Sequence, residues 1–264
     1  MKKYLVIGNP IDHSLSPELH NYWLKKNNID AIYDKKRLDP ENIKEIIDDI
    51  RNNKISGINV TVPFKKYVIP FLDDLSEEAS ITQSVNTILL ENNNIKGYNT
   101  DIAGFQLSLK ETKFDLKNKK VFILGSGGVV PSILFSLEKS GISKITLSNR
   151  TKHKADEMKK TFPKLNIVEW GIVPEFDIVI NATSLGLNKD DKINLNFSNI
   201  NQDKFFYDVI YNPKETNFLK NAKDLGAQVL NGKMMFVYQA SETFKLWHKT
   251  SPEINQEILE LLEK

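Results

Sequence analysis

Residues 119–128 read KKVFILGSGG. The apolar run at 121–124 suits a strand buried on both faces of a parallel sheet, and the glycines after it suit a tight turn into a helix over about 129–140. In that context backbone N–H groups can approach a pyrophosphate, with the helix N-terminus adding positive potential. A plain βα turn would use the same residues, so the end of the next strand decides. ITLSNRT (145–151) closes on Asn149, Arg150 and Thr151, with Lys154 nearby. An NAD site usually carries a carboxylate there for the ribose hydroxyl. A carboxylate would repel a 2′-phosphate, whereas an arginine with an amide, a hydroxyl and a lysine would hold it through charge-assisted bonds. NADP is therefore the expected cofactor.

Downstream, the pattern predicts a helix over about 152–161, a short strand at 166–168 and a strand over FDIVINATSLG (176–186). A strand over FFYDVIYNP (205–213), stopped by Pro213, a helix over 214–225 and a last strand at 227–230 follow. Small residues in NATSLGL (181–187) would let that loop cross close to a cofactor. Helix resumes near Lys233, running through Tyr238, Phe244 and Trp247, and a final amphipathic helix is expected over 252–263.

Upstream, KYLVIG (3–8) is a further continuous apolar strand. The loop after it ends at Pro17, which suits the start of a helix over about 17–28 with Ser16 as its N-cap. A strand at 31–36 and a helix over 40–52, with Ile43, Ile46, Ile47 and Ile50 inward, come next. GINVTVPFK (57–65) then reads as a strand in which Ile58, Val60 and Val62 alternate with Asn59 and Thr61, halted by Pro63. It delivers Thr61 and Lys65 to the carboxyl end of a strand, where ligands of open α/β sheets collect. A helical turn around 66–72, a helix from about 76, a hairpin over 86–98 and a helix over 102–111 complete this half. The polar stretch 112–120 reads as a linker.

Strands alternating with helices predict an α/β fold of two domains. The first carries a mostly parallel sheet, and the second opens after the linker with the glycine-rich strand, turn and helix.

Composition sets outer limits. The 264 residues are 40% hydrophobic and 27% charged, ordinary for a globular protein. A net charge of +2 gives no argument for nucleic acid or an anionic membrane as partner. With no cysteine there is no disulfide framework, thiolate metal site or thiol nucleophile. His13, His20, His153 and His248 lack ligand spacing, so no metal is expected. The first residues, MKKYLVIG, read as a strand and not a signal peptide. No apolar run approaches the ~18 residues of a membrane span, and a cytoplasmic location is expected.

Several polar residues are candidates for chemistry. Ser14 and Ser16 offer two hydroxyls to a small carboxylate, although Ser16 also explains itself as a cap. Lys65 could act as an acid or base against an apolar wall, or be one more solvated lysine. Asn86, Asp101 and Gln239 taken singly read as a turn residue, a helix cap and a polar helix face. Together with Thr61 and Lys65 they supply the hydrogen bonds that a polyhydroxylated ring needs.

At this point the motifs form a series: SLSPELHN (14–21), NVTVPFK (59–65), VNT (85–87), GYNTDIAGF (97–105), GSGG (125–128), NRTKHKA (149–155), NATSLGL (181–187), DVIYNP (208–213) and YQASETFKLW (238–247). In order and spacing they resemble the shikimate dehydrogenase family over essentially the whole chain. The resemblance implies an α/β substrate domain over residues 1–101 plus about 237–264 and a Rossmann-type NADP-binding domain over 102–236. It implies reversible NADPH-dependent reduction of 3-dehydroshikimate to shikimate, on the way to aromatic amino acids. It implies Lys65 as catalytic acid/base beside Asp101. Ser14 and Ser16 would hold the substrate carboxylate, and Thr61, Asn86, Asp101 and Gln239 the ring hydroxyls, with Tyr211 lining the pocket. It implies Gly125, Ser126, Gly127, Gly128 and Val129 at the pyrophosphate, and Asn149, Arg150, Thr151 and Lys154 at the 2′-phosphate. Thr183, Val209 and Gly232 would lie along the cofactor, the last two near the nicotinamide, with Glu77 at the edge of its site. Val130-Pro131 and Met234 depart from the family pattern. A small-molecule substrate and a monomer or homodimer are expected. The alternatives are a dual-specificity quinate/shikimate dehydrogenase, another NADP enzyme on a two-domain scaffold, and a catalytically silent NADP sensor.

Overall fold

The computed structural model describes residues 1–263 and contains two six-stranded sheets. The first comprises β1 (Lys2–Gly8), β2 (Ala31–Arg37), β3 (Gly57–Val60), β4 (Asp74–Leu75), β5 (Thr87–Glu91) and β6 (Asn94–Tyr98). Their spatial order is β2-β1-β3-β5-β6-β4. The β1–β2, β1–β3 and β4–β6 pairings are parallel, while β3–β5 and β5–β6 are antiparallel. Its helices are α1 (Ser16–Lys26), α2 (Ile43–Arg51) and α3 (Glu77–Thr82), with α4 (Asp101–Lys110) leading onward.

The second sheet holds β7 (Lys120–Leu124), β8 (Lys144–Ser148), β9 (Asn166–Val168), β10 (Ile178–Asn181), β11 (Phe205–Asp208) and β12 (Gln228–Leu230). Helices α5 (Val130–Glu138), α6 (Lys152–Thr161) and α7 (Asn217–Asp224) connect them. Every pairing is parallel and the order is β12-β11-β10-β7-β8-β9. This is the doubly wound arrangement, whose strand order reverses between β7 and β10. Helices α8 (Lys233–His248) and α9 (Gln256–Leu261) close the chain. The chain divides into Met1–Gly104 with Val237–Lys264, and Phe105–Phe236, so both α4 and α8 straddle a division.

The first core follows from helical spacing. Ile43, Ile46, Ile47 and Ile50 of α2 are buried with Leu5, Ile7, Ile58, Val60 and Phe64. Each such side chain contributes about 1.5–3 kcal/mol on leaving water. In the second unit Phe122, Leu124, Val179 and Phe206 from three neighbouring strands pack with Phe218 and Leu219 of α7.

Element ends differ from the sequence pattern where a turn or a side chain takes a backbone group. Strand β3 stops at Val60 with all four residues buried, without the expected alternation. The Thr61 N–H still bonds the Ile7 carbonyl at 2.9 Å, but its own carbonyl accepts the Phe64 N–H, so the chain has already turned at Pro63. Val62 is left 54% exposed. Strand β11 ends at Asp208 and does not reach Pro213, because the Asp208 carboxylate accepts the Ile210 N–H at 3.0 Å. Likewise β10 ends at Asn181, whose Oδ1 accepts the Thr183 N–H.

Helix α7 begins at Asn217, where the Thr216 hydroxyl caps the Leu219 N–H, and α9 only after Asn255 has capped Ile258. Residues 40–42 form a 3₁₀ turn ahead of α2. Ser16 is not the N-cap: it is the first residue of α1, and its N–H donates to Ser14 Oγ at 3.3 Å.

Candidate active site

Strands β1 and β3 run parallel with Ile7 opposite Val60, so their carboxyl ends lie side by side. The loop after β1 carries Ser14 and Ser16, and Thr61 directly follows β3. The two exits are tied by Asn9 N–H to the Val62 carbonyl at 3.0 Å. They also approach closely at Gly8, where an added Cβ would stand 2.6 Å from Thr61 Cγ2. Lys65 lies in the turn that follows, and its carbonyl accepts the Val85 N–H at 2.9 Å. That bond brings residues 85–86 alongside.

Lys65 Nζ donates to Asp101 Oδ2. The other carboxylate oxygen, Oδ1, accepts from Asn86 Nδ2 at 2.9 Å. The Asn86 amide has a defined orientation, since its Oδ1 accepts the backbone N–H of Thr100 at 2.8 Å and its Nδ2 must then face Asp101. Gln239 Oε1, from α8, stands 3.4 Å from the same Nδ2. The Asn86 backbone is pinned as well, its N–H on the Tyr98 carbonyl and its carbonyl on the Val60 N–H. Lys65, Asn86, Asp101 and Gln239 thus form one cluster. A paired ammonium here has a carboxylate on one side and can present its remaining protons to a polar ligand. Ser14, Ser16 and Thr61 leave the neighbouring strand ends without a hydrogen bond to that cluster among the described residues.

Four members were not singled out from sequence: Asn59, Thr87, Thr100 and Thr243. Asn59 Nδ2 donates to the Asn86 carbonyl at 3.0 Å, and Asn59 Oδ1 accepts from the Tyr33 hydroxyl at 2.8 Å. An amide inside an otherwise apolar strand was the available signal.

The second unit carries the cofactor candidates. Gly125 has φ +103°, and a Cβ there would lie 2.7 Å from the Ala182 carbonyl oxygen at the end of β10. Only glycine fits between these adjoining strand ends. At Gly127 a Cβ would meet nothing closer than 3.8 Å, so the turn has open space on that side. Ser126, Gly128 and Val129 complete the turn into α5, whose N-terminus faces the switch point between β7 and β10. This cradle suits a pyrophosphate. Asn149 Nδ2 holds the Thr151 carbonyl at 2.8 Å, while Arg150 and Lys154 are exposed and make no ion pair among the described residues.

Thr183 donates to Asn181 Oδ1 at 2.7 Å, fixing the loop after β10. At Gly232 a Cβ would stand 2.1 Å from the Val209 carbonyl oxygen, so these two backbones touch. Tyr211 also belongs to this unit, its ring stacked on Phe236 at 4.5 Å. Glu77 is exposed in the first turn of α3, in the other unit.

The chain as a whole is similar to known proteins. Residues 6–88 match the family model described as shikimate dehydrogenase substrate binding domain, and residues 107–216 the one described as shikimate / quinate 5-dehydrogenase. A shikimate dehydrogenase (NADP(+)) of Pelagibacter ubique is 60% identical over 262 residues, covering 99% of each chain. The crystal structure of shikimate dehydrogenase from Aquifex aeolicus superposes with TM-score 0.90 at 37% identity, over 99% of this chain and 97% of that one. The Thermus thermophilus enzyme, solved in complex with NADP(H) and shikimate, gives TM-score 0.87 at 29% identity, over 100% and 98%. No helix among the described residues is long and apolar enough to cross a membrane.

Proposed function

The chain belongs to the shikimate dehydrogenase family, and from that membership we propose that it reduces 3-dehydroshikimate reversibly to shikimate with NADPH, on the route to chorismate and the aromatic amino acids. The observation that carries the reading is the buried Lys65–Asp101 pair joined to Asn86 and Gln239.

NADP, when bound, supplies the hydride in one direction and accepts it in the other. As the substrate carbonyl is reduced, negative charge grows on its oxygen. Lys65 as ammonium stabilises that charge and donates the proton; in reverse, the neutral amine takes the proton from the hydroxyl. Such acid–base help is worth about 10²–10⁴-fold. Asp101 holds Lys65 and, with Thr61, Asn86 and Gln239, binds ring hydroxyls. Ser14 and Ser16 take the substrate carboxylate, and Tyr211 lines the pocket.

Gly125, Ser126, Gly127, Gly128 and Val129 would hold the pyrophosphate, with Thr183 beside them. Asn149, Arg150, Thr151 and Lys154 would hold the 2′-phosphate, Val209 and Gly232 the nicotinamide, and Glu77 the edge of the site. The enzyme is read as cytoplasmic, a monomer or homodimer. Purified protein should reduce NADP with shikimate and do so poorly with quinate or with NAD. Equal turnover of quinate would favour the dual-specificity reading, and no turnover of either would favour a sensor.

A further inference from the structure

We propose that Thr243, on α8, positions the Lys65–Asp101 pair by closing a ring of hydrogen bonds that fixes the Asn86 amide; the inference rests on the role of that pair proposed above. Thr243 is buried and touches neither Lys65 nor Asp101 through any hydrogen bond among the described residues. Its hydroxyl lies 3.1 Å from Thr100 Oγ1 and 2.8 Å from Thr87 Oγ1. Asn86 stands at both ends of that chain: its Nδ2 donates to Thr100 Oγ1 at 2.8 Å, and Thr87 Oγ1 donates to its Oδ1 at 3.2 Å.

The fixed members admit a continuous set of proton directions. The Thr100 backbone N–H holds Asn86 Oδ1, so Nδ2 carries the two protons toward Asp101 and Thr100. The Thr100 hydroxyl accepts one of these and has a single proton left for Thr243. Thr243 passes its own to Thr87, and Thr87 returns one to Asn86 Oδ1. Round this circuit each hydroxyl accepts from one neighbour and donates to the next, an arrangement in which the bonds reinforce one another. Asn59, oriented by the Tyr33 hydroxyl, holds the Asn86 carbonyl with one Nδ2 proton and has the other for Thr87 Oγ1 at 3.1 Å or Thr243 Oγ1 at 3.3 Å.

Removing the Thr243 hydroxyl opens the circuit. The Thr100 hydroxyl, 3.2 Å from Asn86 Oδ1, would then turn to an oxygen already taken by the Thr87 hydroxyl and a backbone N–H, and Thr87 would lose Thr243 as its donor. Burial keeps water from replacing the lost link. The Asn86 amide loosens, and with it the second anchor of the Asp101 carboxylate. Thr243 sits one helical turn beyond Gln239, so a single face of α8 serves the cluster twice.

Thr243→Val keeps the shape and deletes the hydroxyl, whereas Thr243→Ser keeps the hydroxyl and deletes the methyl. Turnover of the valine variant should fall about tenfold, with KM for shikimate and NADP within about threefold, and serine should restore most of the loss. In an Asn86→Ala background, Thr243→Val should cost little more. Wild-type turnover in the valine variant, equal losses for serine and valine, or losses that multiply in the double variant would each overturn the inference. Far-ultraviolet circular dichroism and melting check the fold, and Thr243→Ala makes the same deletion should valine not fold. Lys65→Ala run alongside separates the two claims. If it keeps full activity, the functional reading fails. If it loses activity while Thr243→Val does not, only this inference fails.

Discussion

Lys65 and Asp101, thirty-six positions apart in the chain, form an ion pair whose side chains are only 10% and 8% exposed. Taking two charges out of water is costly, and removing one partner leaves the other uncompensated. Asp101→Asn keeps the shape and discards the charge. It should lower turnover at least ~100-fold and stability by about 3 kcal/mol. Urea unfolding and initial rates check both; a variant as stable and as active as the parent would show that the pair is ornamental.

Arg150 stands exposed at the end of β8 and makes no ion pair among the described residues. If it binds a 2′-phosphate, Arg150→Ala should raise KM for NADP about 10–100-fold, the worth of one charge-assisted contact. KM for NAD should stay within about threefold. Equal effects on both cofactors would mean that the arginine reads something common to them.

Asp208 gives the pH dependence of stability a specific sign. Burial is the largest influence on this carboxyl and pushes it up to about 6 from 3.8, against hydrogen bonds from Thr216, the Ile210 N–H and Asn181. Between about pH 4 and 6 the folded chain keeps a proton that the unfolded chain has released. The stability this group contributes is therefore greatest below about pH 4 and declines by about 3 kcal/mol as pH rises to about 6, then stays level. Asp208→Asn remains neutral and keeps an acceptor toward Ile210 and Asn181. Its stability relative to the parent should rise across that interval, measured by urea unfolding at stepped pH. A flat difference, or one of opposite sign, contradicts the assignment.

The strands that the sequence made legible are those whose apolar runs are continuous, such as 121–124, since burial on both faces leaves little room for another reading. Ends were less legible. FFYDVIYNP looks extended throughout, yet Asp208 takes the Ile210 N–H and ends the ladder there. Ser16 precedes a proline and looks like a cap, but the hydroxyl that meets the helix backbone is that of Ser14.

At the site, Lys65, Asn86, Asp101 and Gln239 were named from motifs, and the structure brings them together. Thr243 and Thr87 were not named, because they meet across 156 positions in hydroxyl contacts that leave no periodic trace. Asn59 was visible only as an amide out of place among Ile58 and Val60.

The most direct test of the proposed chemistry is shikimate-dependent formation of NADPH by Lys65→Ala, followed by absorbance beside the parent protein. The parent should turn over; the variant should lose at least ~100-fold in kcat with shikimate affinity little changed, as expected for a group acting on the proton in flight. Wild-type kcat in the variant would contradict the account.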